Sequence, residues 1–96
     1  MELILKKYGA VISDEDTGNR ILGQIKSALA QNQNVIVNFD GVSALTTYNA
    51  KQIFGDLYVN LGAQEFYDKI GLRNASANIQ TIIRLGINSS VLAAKI

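Results

Sequence analysis

The chain contains no cysteine, no histidine, no proline and no tryptophan. Without cysteine there is no disulfide and no thiol nucleophile. Without histidine the commonest general base is missing, and so is the commonest metal ligand of the Cys/His zinc sites. A metal site and a resident cofactor are therefore not expected. Without proline every turn must rest on Gly, Asn, Asp and Ser. Charge is sparse as well, at 18% of residues with a net charge of +1. Lys6-Lys7 is the only basic pair, and a polyanion is held by a clustered basic face, so nucleic acid is not an expected partner. No apolar run approaches the ~20 residues that span a bilayer. Met1 to Lys7 is too short and wrongly ordered for a secretory leader. The expectation is a cytoplasmic protein with no membrane attachment.

What is present suits one globular domain over 1–96. About half of the residues are apolar, 48%, which is ample for one core at this length. Glu2 to Lys7 alternates weakly as a strand would, Tyr8-Gly9 reads as a turn, and Ala10 to Ser13 as a short strand. Ser13-Asp14-Glu15-Asp16 is a helix start with acids where the macrodipole favours them. Ile21, Leu22, Ile25, Ala28 and Leu29 then place a first helix over roughly 15 to 31. Val35 to Phe39 is short, β-branched and apolar, as a central strand covered on both faces is.

The most informative stretch follows directly. Asp40-Gly41 turns the chain, Thr46-Thr47-Tyr48-Asn49 reads as a helix cap, and Ala50, Ile53, Phe54, Leu57, Tyr58 and Leu61 form one apolar helix face. Gly62 ends that helix. A hairpin at Asp40-Gly41 is the rival reading. Phe66 to Arg73 supplies a strand around Ile70 and Leu72. Asn74-Ala75-Ser76 caps a last helix through Ile79, Ile82, Ile83 and Ile87, which Asn88-Ser89-Ser90 is expected to break. The order of elements gives an α/β fold, a mixed sheet of about four strands with about three helices packed on it.

Over roughly 34–85 the chain resembles the STAS-like domains of unknown function, small bacterial relatives of the anti-sigma-factor antagonist (STAS) domain. Val35-Ile-Val-Asn-Phe-Asp-Gly-Val matches the strand and turn of that pattern. Asn49-Ala50-Lys-Gln-Ile53-Phe54-Gly55-Asp-Leu57 matches its helix. Phe66, Ile70, Leu72 and Asn74 look like the strand and cap that follow. The resemblance implies a non-enzymatic regulatory module that docks a protein partner, in the antagonists a kinase-like regulator that binds ATP, through a surface at 40–52. It places Asp40, Thr46, Thr47, Tyr48, Asn49, Lys51 and Gln52 on that surface. In the antagonists a cap serine is phosphorylated, and the phosphate breaks the complex. Tyr48 occupies that position here and Thr47 the neighbouring hydroxyl, which leaves Thr47 as the better acceptor for a Ser/Thr kinase. Asn38, Asn49 and Lys51 depart from the family's usual Asp, Phe and Asp. Asn38 itself reads as a tie between the turn after Asp40 and the cap.

Two other readings compete. A small hydrolase-like enzyme would gather Asp40, Thr47, Tyr48 and Lys51 in a cleft. A structural homo-oligomer would pack the tail, Val91 to Ile96, on a neighbour.

Overall fold

A computed structural model describes residues 1–95. Five strands and a helical layer alternate along the chain. β1 (Glu2–Ile4) runs into a 3-10 turn (Leu5–Tyr8), then β2 (Val11–Ile12) and α1 (Glu15–Ala30). β3 (Val35–Asn38) and β4 (Ala44–Leu45) lead into one continuous helical stretch. That stretch is α2 (Thr47–Ala50), a π-helical turn (Lys51–Gly55) and α3 (Asp56–Leu61). α4 (Ala63–Lys69), β5 (Ile70–Arg73) and α5 (Ala77–Ala94) complete the described chain.

The fold is α/β as expected, with its strands divided between two small sheets. One has the order β1-β3-β5 and the other pairs β2 with β4. All of these pairings are parallel. Parallel neighbours need a crossover, and both crossovers step in the same direction across the β1-β3-β5 sheet. Right-handed connections therefore put the helices on one face of it. Strand alternation follows: Leu3, Val35, Val37 and Ile70 point into the core and are buried. β3 is thus covered on one face, where its sequence suggested two. Its other face presents Ile36 and Asn38, both half-buried.

That open face is closed by polar ties. Arg73 donates to Glu2 at 2.9 Å, and the Asn38 amide donates to the same carboxylate oxygen at 2.9 Å. The Asn38 carbonyl oxygen accepts from the Asp40 N–H and from the Asn74 amide. Asn38 therefore does hold the turn after Asp40. It ties that turn to the Asn74 corner and to β1, and not to the Thr46 cap.

Asp40-Gly41 makes a turn with Gly41 at φ 80°, and β4 beyond it pairs with β2, so the rival hairpin does not form. Phe66 belongs to α4 and not to a strand; it packs edge-on against Tyr58 at 5.3 Å. Asn88-Ser89-Ser90 does not break α5, which runs on to Ala94. Of the expected tail, Val91 to Ala94 is helix, and Ile96 lies outside the described residues.

The core lies between the sheet and the helices. Phe39 at the end of β3 meets Phe54 of the π-helical turn at 6.2 Å between ring centres. Ile21 and Ile25 of α1 and Ile79 and Ile83 of α5 flank that pair, all buried. At about 1.5–3 kcal/mol per large side chain, this burial drives assembly of helices that are too short to stand alone.

Candidate functional site

Two helix N-termini meet at the cap. α1 begins at Asp14, whose carboxylate accepts the Thr17 N–H at 2.9 Å. α2 begins at Thr46, whose hydroxyl accepts the Asn49 backbone N–H at 3.1 Å and donates to the Asn49 side-chain oxygen at 2.8 Å. Each is a side-chain cap for backbone donors that a helix start leaves free.

Asn49 joins the two ends. It is fully buried, the one polar side chain so placed among the described residues. Its amide donates to the Asp14 backbone carbonyl and to the Gln52 side-chain oxygen, each at 2.9 Å. Gln52 in turn donates to the Glu15 carbonyl and to Asn19, again at 2.9 Å. Every hydrogen-bonding atom of the buried amide thus has a partner, which is what burial demands. Gly18 of α1 makes room for this latch, since a side chain there would run into Gln52 and Asn49.

Tyr48 stands outside the latch. The residue is 57% exposed and its hydroxyl donates to Glu15 at 3.1 Å. That hydrogen bond to a carboxylate holds the Tyr48 hydroxyl above its ordinary pKa of 10.0. From Tyr48 a groove of about 490 Å³ runs along the helix, lined by Lys51, Gln52, Gly55, Asp56, Val59 and Asn60 on one side and by Ser90 and Ala93 of α5 on the other. Lys26 neutralises Asp56 at 3.0 Å. Among the described residues Lys51 enters no ion pair. It is the groove's free cation.

The expected site residues therefore separate. Tyr48, Lys51 and Gln52 share the groove. Thr47 is exposed beside it, and Thr46 is half-buried in its capping role. Asp40 is exposed at the turn where Lys6 donates to the Gly41 carbonyl, and neither it nor Thr47 lines the groove. The four residues of the hydrolase reading do not gather in this cleft. Asn49 offers no surface at all and acts from beneath. Sequence reading missed Gly18, Asn19 and the acidic start of α1 as its partners. Their signal was a glycine early in a helix, a position that costs about 1 kcal/mol unless something close needs the space.

Among the described residues no group of three acidic, histidine or cysteine side chains is placed to hold a metal ion. No described helix is long and apolar enough to cross a membrane.

Hydrogen bonding to the Thr17 N–H holds the Asp14 carboxyl below its ordinary 3.8. A carboxylate whose pKa is depressed by folding contributes stability above its unfolded value and loses it as pH falls through the folded one. Asp14→Asn is therefore expected to match the wild type more closely at about pH 3 than at neutrality, because below the ordinary 3.8 the advantage of the charged cap is progressively lost as pH falls toward the folded value. Urea midpoints measured at the two pH values check this. A constant gap between the two proteins would contradict it.

The model of a family described as a STAS-like domain of unknown function matches residues 17–80, a span that runs from the first turn of α1 through the Thr46 cap and the groove helix to β5 and the start of α5. No curated protein and no solved structure matches the chain.

Proposed function

The chain belongs to the family of STAS-like domains of unknown function, and we propose that it is a non-enzymatic module that docks a protein partner along the groove starting at Tyr48. The observation that carries this reading is the pairing of rigid and free groups at one place. The buried Asn49–Gln52 latch fixes the cap. The exposed Tyr48 ring and the unpaired Lys51 stand on it. An aromatic residue held in advance gives contact area at little entropic cost, and such residues dominate interface energies.

Family membership suggests a non-catalytic fold, and the separation of Asp40 and Thr47 from the groove supports the same choice. Following the better-known relatives, the partner is a kinase-like regulator that binds ATP, meeting Tyr48, Lys51 and Gln52 in the groove and reaching outside it to Thr47 and the exposed Asp40 turn. The same relatives motivate a modified hydroxyl at the cap. A phosphate on Tyr48 would replace the proton now donated to Glu15 and add about −1.5 to −2 charge beside that carboxylate. The ring would be expelled from its present seat. A phosphate on Thr47 would sit on the exposed first turn, nearer the helix dipole and farther into the solvent. Of the two, Thr47 is the position where the fold tolerates the group.

Affinity capture from the native host, with Lys51→Glu alongside the wild type, tests the reading. The wild type is expected to retain a partner that the variant loses at least tenfold. Equal recovery on both would remove the groove from the interface. Mass spectrometry of the captured chain reports any phosphate on Thr46, Thr47 or Tyr48.

A further inference from the structure

Strand β5 is an edge that the chain leaves open. The Arg73 carbonyl accepts the Phe39 N–H across the β3-β5 pair. Main-chain groups alternate in direction along a strand, so Gly71 and Arg73 face β3 while Ile70 and Leu72 face outward. The Ile70 N–H is taken by the Phe66 carbonyl at the end of α4. The Ile70 carbonyl and both main-chain groups of Leu72 have no partner among the described residues. Leu72 stands level with Val37 on the helix-covered face. Val37 is buried and Leu72 is 41% exposed, because no strand lies beyond it. Natural edges are blunted by charge, proline, a bulge or a covering element. Here the chain has no proline, and the register with β3 runs unbroken. The one charged residue of β5, Arg73, is held across the sheet by Glu2.

A groove of about 300 Å³ runs beside that edge, between β5, Tyr67 of α4 and Ile83, Arg84 and Ile87 of α5; no residue of β1 or β3 lines it. Its walls are mainly apolar, and Arg84 is its one charged group. Among the described residues Arg84 enters no ion pair. The acids of α4 do not answer it: Glu65 pairs with Lys69, and neither Glu65 nor Asp68 lines the groove. We propose that β5 takes an extended segment of a partner protein as the fourth strand of its sheet, with alternate apolar side chains entering this groove and a carboxylate meeting Arg84. The open main-chain groups call for a strand and not a helix, and the free guanidinium calls for an acid. The β5 of a second copy does not meet that demand, since Ile70-Gly-Leu-Arg73 offers no carboxylate. No residue of this groove lines the one at Tyr48, so the two docking sites are separate.

A display library of random peptides of about ten residues is the probe. The wild type should enrich sequences that alternate apolar and polar residues and carry an Asp or Glu. Arg84→Glu, a change at an exposed position, should bind the selected peptides about tenfold more weakly. It should itself select Lys or Arg in place of the acid. The Leu72 N–H should exchange about tenfold more slowly with a selected peptide bound, whereas a peptide held by side chains alone would leave it unchanged. Lys51→Glu should bind the same peptides as the wild type, which separates this result from failure of the groove at Tyr48. Failure to enrich such peptides overturns the proposal, as does equal binding by Arg84→Glu or an unprotected Leu72 N–H. A free chain that sediments at twice its mass of 10.4 kDa, and returns to the single mass with Leu72→Lys on the edge, would give the edge to a second copy and overturns it too.

Discussion

Gly86→Val is expected to lower the stability of the domain by about 3 kcal/mol, the upper part of the range for overpacking a core. The first atom of any side chain at Gly86 would lie 2.6 Å from the Lys51 backbone nitrogen and 2.7 Å from the Ala50 carbonyl carbon. These are main-chain atoms where α2 passes into the π-helical turn, and no rotamer change moves them. The two helices would have to separate, taking with them the second close approach, between Gly55 and Ser90. In a domain of this size about 1 kcal/mol shifts the melting temperature by roughly 4–8 °C, so the melting temperature should fall by on the order of 15 °C. Thermal unfolding followed by circular dichroism measures it. A loss below about 1 kcal/mol would mean that α5 does not pack as closely as described. Because Ser90 and Ala93 line the groove opposite Lys51 and Val59, the same variant should also splay the proposed docking surface.

Asn49→Leu comes second, with an expected cost of about 2–3 kcal/mol. The replacement has similar volume and belongs, by composition, in a buried place. It nevertheless strands the Gln52 side-chain oxygen, leaves the Thr46 hydroxyl proton without its acceptor, and takes from the Asp14 carbonyl the partner it shares with the Gly18 N–H. A polar group left unsatisfied in the interior costs more than the net worth of its hydrogen bond. Hydrogen exchange should localise the damage: amides of 46–50 and of the first turn of α1 should exchange faster, with those of β3 changed only through global stability. Urea unfolding gives the magnitude. A variant as stable as the wild type would mean that the latch does not couple α1 to the cap.

Much of this fold could be read before the structure. The 3.6-residue spacing of Ile21, Ile25 and Ala28, and of Ala50, Ile53, Phe54 and Leu57, located two helices because each buries one face. Asp14 and Ser76 announced their helices through capping chemistry, and both accept the expected backbone N–H. Gly62 carries the positive φ its position called for. The failures share a cause, tertiary packing overriding local preference. Asn88-Ser89-Ser90 looked like a breaker, yet Ser90 is small because Gly55 lies against it. Phe66 looked like strand because Ile70 and Leu72 alternate after it, but its ring is needed against Tyr58. The cap was legible as a place and not as a mechanism. Asn49 shares a helix face with Ile53, and a polar residue in that position signals a buried network, but the partner that couples it to α1, the Asp14 carbonyl, lies 35 residues away. No local pattern connects them. The groove likewise takes its far wall from α5, where Ser90 and Ala93 come 39 and 42 residues after Lys51, and only the fold brings those walls together.

The central claim is that Tyr48 lies within the surface a partner covers. A photo-activated cross-linking residue placed at Tyr48, and another at Ser27 on the exposed side of α1 as a control, test it most directly in the native host. Docking at the groove predicts one partner-sized adduct from position 48 that disappears with Lys51→Glu, and none from position 27. The same adduct from both positions, or from position 27 alone, would contradict it.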